Sequence, residues 1–333
     1  MAETPDSSII LDTCSTITTL QESERVRQLR ATLRSPNTSR AYASDWRSFE
    51  AWCLSEGVEA GRADDVVVAN YLAVLADEGC APGSIARVYS GLLATLRSSA
   101  PETWPPGLRP YRIAQVLKGI RRDNARLVVR KRPLTDVEVA KIVSNLGHDL
   151  KATRDRALLL VGVMGGFRRS ELVGLDVETL QVTDAGLQVY LPKSKTDQEG
   201  DGRTVGILAQ NNSEECPIRA LGEWTDAASI ISGPIFRPVV RGRAIDRRLN
   251  DRAVARIVKE TVASIGLDAD DFSGHSMRAG FVTTAARQGK SLESIMKQTG
   301  HKSIKQLMEY IRHATVFVDN ATSGFMPGKK GSP

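Results

Sequence analysis

Apolar positions in the first third of the chain recur at helical spacing. Tyr42, Trp46, Phe49 and Cys53 step by four, three and four residues, which stacks them on one face of a helix. Arg40, Ser44 and Arg47 fall on its other faces. A second helix is predicted near Val66 to Glu78, stopped by Gly79. A third is predicted after Pro82-Gly83, with Ser84 as its N-cap and Ile85, Val88, Leu92 and Leu96 turned inward. The proline-rich stretch 101–110 reads as a loop and Tyr111 to Asn124 as a further helix. With no strand pattern in this half, residues 23–125 read as a small all-helical domain, and the polar, Ser/Thr-rich residues 1–22 before it as a disordered tail.

Residues 126–134 are basic, lack helical period and contain Pro133, as an extended linker does. Thr135-Asp-Val-Glu138 then has the spacing of a capping box and opens a second domain, 135–320. Its pattern is mixed. Ala152 to Met164 is a predicted helix ended by Gly165-Gly166. Short runs at 179–183, 187–191 and 203–208 alternate at period two, which predicts a small antiparallel three-stranded sheet. From Asn250 the pattern is helical again, broken at Gly266, Gly289 and Gly300. Residues 321–333 read as a flexible tail. The expected fold is therefore mainly α, in two domains, with a mixed α+β second domain.

Composition adds a partner class. Apolar residues make up 41% of the chain and charged residues 25%, an ordinary balance for a soluble protein, and the net charge is +6. Between Ser23 and Arg132 there are 18 Arg plus Lys against 11 Asp plus Glu, so the basic surplus is concentrated in the first half and suits a polyanion. Cys14, Cys53, Cys80 and Cys216 lie far apart without a CxxC pair, which argues against a metal or disulfide framework and fits a reducing compartment. No apolar run is long enough for a membrane span, and the N-terminus does not read as a signal peptide, so a cytoplasmic protein is expected.

Candidate chemistry collects in the second domain. Three of the four histidines lie near the C-terminus, in HSMR (275–278), in GHKS (300–303) and as His313. His275 and Arg278, spaced i, i+3, share a helix face and can grip one anion together. Ile304, Leu307, Met308 and Ile311 form an apolar stripe beside which Tyr310 is expected to be partly buried, its hydroxyl toward a cleft. Arg168 follows a double glycine at the mouth of a helix, with Glu171 near enough to orient its guanidinium. By chemistry alone Arg169 competes with Arg168, and Lys193 with Lys195 in PKSKTD. Taken singly, each residue also has a plain structural use: packing, capping or a surface ion pair.

As an ordered set, GGFRRSE (165–171), a hairpin lysine, HxxR, GH and a tyrosine nine residues after that histidine resemble the tyrosine site-specific recombinase (phage integrase) family. RSFEAWC (47–53) and VANYLAVLADEG (68–79) look like the core-binding domain of the Cre branch of that family, while His301 stands where that branch has tryptophan. The resemblance implies a SAM-like core-binding domain followed by a catalytic domain. It implies Tyr310 as nucleophile, forming a 3′-phosphotyrosyl link, with Arg168 and Arg278 on the phosphate oxygens and His275 and His301 as further donors. His275 would also take the tyrosine proton, Lys195 would protonate the leaving 5′-oxygen, and Glu171 would hold the site together. The R-x-S-E register favours Arg168 and the family spacing Lys195.

No metal, ATP or other cofactor is implied. Double-stranded target DNA would be clamped by Arg40, Arg47, Ser84, Arg87 and Arg252, with Arg121, Arg122, Arg130 and Arg132 on phosphates. The segment after His313, with Val316, Phe317 and Phe325, would dock on a neighbouring protomer to give a homo-tetramer on DNA. The nearest rival is a type IB topoisomerase; a catalytically silent DNA-binding regulator is a second.

Overall fold

The computed structural model describes residues 23–26, 33–99, 110–124, 131–192, 202–210 and 214–314. The expected tails, the loop at 100–109, most of the linker, Lys195 and Arg130 lie outside them. The chain divides into two compact units, 1–128 and 129–333.

The first unit is helical throughout its described residues. Its helices are α1 (Pro36–Ser55), α2 (Asp65–Asp77), α3 (Pro82–Ser99) and α4 (Pro110–Asp123). Ser35 caps α1, with proline at the first helical position. Asp64 caps α2 by accepting 3.0 Å bonds from the N–H groups of Val66 and Val67. The sequence placed the N-cap of α3 at Ser84, and the structure corrects this. Proline tolerates the first helical turn, so the helix begins at Pro82 and Ser84 lies within that turn. Phe49, Leu72, Ile85, Leu92 and Ile113 are fully buried and form the core with Cys53, Val68, Tyr71 and Leu96. Phe49 and Tyr71 meet at 5.1 Å between ring centroids.

The second unit follows the predicted order. It contains α5 (Asp136–Asn145), α6 (Leu150–Met164), the short α7 (Arg169–Val173), the strands β1 (Leu180–Thr183), β2 (Gly186–Leu191) and β3 (Arg203–Leu208), and α8 (Pro217–Ala227). A two-residue-strand hairpin, β4 (Val239–Val240) and β5 (Arg243–Ala244), precedes α9 (Asp251–Ser264), α10 (Ser276–Arg287), α11 (Leu292–Thr299) and α12 (Ile304–Ala314). The three longer strands pair antiparallel in the order β1-β2-β3, with Val189 opposite both Leu180 and Val205. Alternation sends Leu187, Val189, Leu191, Val205 and Ile207 into the core. Helix α6 is buried from Ala157 to Val163, so it is the central helix on which the unit packs.

Two close approaches seat the elements that carry the candidate residues. Helix α10 lies against the segment before α5: Leu134 N–H donates to the Ser276 carbonyl at 2.8 Å. A Cβ added at Gly280 would fall 1.7 Å from the Leu134 carbonyl oxygen. Gly280→Ala is therefore expected to destabilise the protein by about 1–3 kcal/mol, because backbone must move to admit one methyl group; an unchanged thermal melt would contradict this contact. Helix α12 is held on α10 and α11 by a separate cluster of Val282, Ala285, Ala286, Ile295 and Leu307, with Tyr310 and Ile311 packed against it. Among the described residues no helix is long and apolar enough to cross a membrane, and no group of His, Cys, Asp and Glu could hold a metal ion.

Candidate active site

The double glycine after α6 sets the geometry. Gly165 caps the helix, and a Cβ there would lie 2.0 Å from the Phe167 ring. Gly166 has φ 60, a conformation that costs glycine little. The sharp turn buries Phe167 and delivers Arg168 to the mouth of α7. There Glu171 accepts from Arg168 twice, from its backbone N–H at 2.9 Å and from Nη1 at 2.6 Å. Burial raises the Glu171 pKa, but the Arg168 N–H and the guanidiniums of Arg168 and Arg203 outweigh it and hold the carboxyl below its ordinary value.

That shift has a definite sign in stability. A carboxylate whose pKa is lower folded than unfolded stabilises the fold above the unfolded value, and the gain is lost as pH falls through the folded one. Glu171→Gln is expected to cost about 3 kcal/mol at pH 7, because two partly buried guanidiniums lose their buried counter-charge. The gap between variant and parent should close as the pH falls below the ordinary glutamate value of 4.5. Denaturant melts at pH 7 and pH 3 check it; a gap that widens in acid would be inconsistent with the pairing.

Arg203, the first residue of β3, was missed from sequence. Its Nη2 reaches Glu171 Oε2 at 3.1 Å and its Nη1 donates to the Gln298 carbonyl at 2.6 Å. A signal was present: Arg203 shares the inward face of β3 with Val205 and Ile207, where period two calls for an apolar residue. Gln298 also went unnoticed; its amide donates to the Met164 and Gly206 carbonyls at 3.1 and 2.9 Å, tying α11 to α6 and β3.

Arg278, on the first turn of α10, is 2% exposed. Nη1 donates to the Gly166 carbonyl at 2.7 Å, while Nη2 is buried with no hydrogen-bond partner among the described residues. Burial and the neighbouring Arg168 and Arg203 push its pKa down to about 9, so it stays charged at neutral pH. A buried cation with an unmet donor costs several kcal/mol unless an anion completes it.

His275 Nε2 lies 2.8 Å from the Tyr310 hydroxyl. Desolvation, then the charges of Arg278, Arg169 and Arg168, lower the His275 pKa, so the ring is neutral at pH 7 and can accept a phenolic proton. His301 follows the left-handed Gly300 at the end of α11, and Thr299 Oγ1 lies 2.7 Å from its Nδ1. Burial, Arg278 and Arg168 push His301 down to about 4. The structure thus gathers Arg168, Glu171, His275, Arg278, His301 and Tyr310, and adds Arg203. The set offers a tetrahedral anion several cationic donors, beside a hydroxyl whose proton has an acceptor.

The residues expected on DNA are described each within its own unit. Arg40, Arg47, Arg121, Arg122 and Arg252 are exposed, as is Ser84. Arg87 forks onto Asp45, with Nη2 at 3.1 Å from Oδ1. Arg132 lies over the Phe272 ring at 5.2 Å and near Glu138 and Asp271. Arg252 shares a cavity of about 510 Å³ with Arg247, Arg248 and Arg256. Among these, Arg248 is paired with Asp176 at 2.7 Å and Arg256 with Glu260 at 3.6 Å.

The phage integrase family matches residues 132–316. An integrase/recombinase xerD homolog from Selenomonas ruminantium is 35% identical over 291 residues, covering 86% of this chain and 85% of that one. The tyrosine recombinase XerC of Pseudomonas fluorescens is 28% identical over 298 residues, covering 86% and 90%. Among solved structures, the Tn1549 transposon integrase in complex with transposon right end DNA matches with a TM-score of 0.59 at 17% identity, over 85% of this chain and 92% of that one. The lambda integrase bound to DNA matches with a TM-score of 0.57 at 17% identity, over 88% and 95%. These likenesses in structure carry the fold alone, and the relatives are of the XerD and XerC type, so the expected closeness to the Cre branch is not part of what they establish. Together the family match and the extent of the sequence identity lead to one conclusion: this chain belongs to the phage integrase family, that of the tyrosine recombinases.

Proposed function

We propose that the protein is a site-specific DNA recombinase in which Tyr310 attacks a scissile phosphate. A 3′-phosphotyrosyl link forms as the P–O bond to the 5′-oxygen breaks, and attack by a 5′-hydroxyl later reverses it. Neutral His275 takes the phenolic proton; Arg168, Arg278 and His301 hold the non-bridging oxygens; Lys195 supplies the proton to the leaving oxygen. Glu171, itself held by Arg203, fixes the guanidinium of Arg168. The observation that carries this reading is the 2.8 Å His275–Tyr310 bond beside a buried Arg278 that still has a donor to satisfy. Because the link conserves the phosphodiester, rejoining needs no nucleotide hydrolysis.

DNA is the substrate this charge distribution suits. Arg40, Arg47, Ser84, Arg87 and Arg252 contact the duplex, and Arg121, Arg122, Arg130 and Arg132 position it through phosphates. The arginines around Arg252 support that placement, since four guanidiniums around one cavity favour a polyanion. The segment after His313 docks on a neighbouring protomer, so that four chains act on two paired sites. A groove of about 560 Å³ in the second unit, lined in part by Leu160, Val163, Ile207, Phe281 and Ile295, is an apolar acceptor suited to Val316, Phe317 or Phe325.

A plasmid carrying two copies of a DNA site recovered with the trapped protein provides the test. Recombinant circles are expected. Relaxed topoisomers without exchange would instead make it a type IB topoisomerase, and binding without cleavage a silent regulator.

A further inference from the structure

Thr299, fully buried at the end of α11, touches His301 and constrains where that ring carries its hydrogen. Its Oγ1 lies 2.6 Å from the Ile295 carbonyl oxygen and 2.7 Å from His301 Nδ1. A hydroxyl has one proton, and a carbonyl oxygen can only accept. The Thr299 proton therefore goes to Ile295, and the same oxygen accepts from His301 Nδ1–H. The neutral ring is held with Nδ1 protonated and Nε2 bare.

A bare Nε2 can accept a hydrogen bond but cannot donate one to a phosphate oxygen. The groups that act on His301 are cationic or neutral: Arg278 and His275 from the start of α10, Arg168 at the mouth of α7 and Arg203 from β3; the one carboxylate nearby, Glu171, is already paired with Arg168 and Arg203. While the site holds no anion, they and burial keep the ring neutral. Negative charge placed among the guanidiniums reverses that balance, because it offsets their field and rewards a donor at Nε2.

We propose that Thr299 is a positioning residue that fixes the Nδ1–H tautomer of His301, so that Nε2 takes a proton from solvent as phosphate charge enters the site and returns it when that charge leaves. His301 is then a donor that exists only when there is an oxyanion to receive it. The proposal rests on the reading of the arginine cluster as a phosphate site.

Nitrogen-15 spectra of histidine-labelled protein test it directly. The chain has four histidines, and His301→Gln assigns the His301 signals by their loss. At pH 7 without added anion, Nδ1 should be protonated and Nε2 bare. Sulfate is the probe for the anion, because its charge does not change in this pH range; it should raise the His301 pKa by on the order of one to three units. Thr299→Val should release the ring to the Nε2–H tautomer, and Thr299→Ser should restore the parent tautomer. An Nε2–H tautomer in the parent protein, or an unchanged one in Thr299→Val, would overturn the role of Thr299. A His301 pKa, read from a pH titration, that sulfate leaves unchanged would overturn the proton uptake. A parent protein with the expected tautomer that forms no adduct on any DNA would count against the recombinase reading instead.

Discussion

Replacing Tyr310 with phenylalanine is expected to abolish covalent attachment to DNA, a loss on the order of 10⁴-fold or more in cleavage rate, while leaving DNA affinity unchanged. The structure explains why so small a change separates the two effects. The Tyr310 ring packs against the Val282–Leu307 cluster that seats α12, and phenylalanine keeps that packing. What is lost is the hydroxyl and its 2.8 Å bond to His275 Nε2, worth about 0.5–1.5 kcal/mol of stability. Folding and the arginines should thus survive, and the chemistry should not. A gel shift on target DNA, run beside a denaturing gel for the adduct, separates the two.

Arg278→Lys is the second large effect, with cleavage expected to fall about 10²–10³-fold. Lysine keeps a positive charge but has no planar fork, and Arg278 uses that fork in two directions. Nη1 holds the Gly166 carbonyl at 2.7 Å, which fixes the turn before Arg168, and Nη2 is the buried donor awaiting an oxygen. One ammonium cannot do both. Single-turnover cleavage at saturating protein isolates this loss from weaker binding, and a rate within a few-fold of the parent would contradict the role assigned to Arg278.

Much of the fold was readable because local rules decided it. The capping box at Thr135 is present, with Glu138 Oε2 accepting from the Thr135 N–H at 3.0 Å, and the three alternating runs are the three strands. The stop signals at Gly266, Gly289 and Gly300 are left-handed glycines at helix ends. Ser84 was misread because serine and proline both mark helix starts, and here proline took the first helical position. Arg203 and Thr299 were hidden for a different reason. Arg203 left only a break in the period-two pattern of β3, which does not name its distant partner Glu171, and Thr299 matters through the direction of one hydroxyl proton between Ile295 and His301, which no spacing reports. The candidate set around Tyr310 was readable as a set, since each member alone has an ordinary structural use.

The most direct measurement is the identity of the residue that carries DNA. Protein trapped on its target can be digested with protease and nuclease, and the nucleotide-bearing peptide sequenced by mass spectrometry. The peptide should contain Tyr310, joined through its phenolic oxygen to a 3′-phosphate, and no such peptide should arise from Tyr310→Phe. A nucleotide on any of the other five tyrosines, or a 5′-phosphate linkage, would contradict the account.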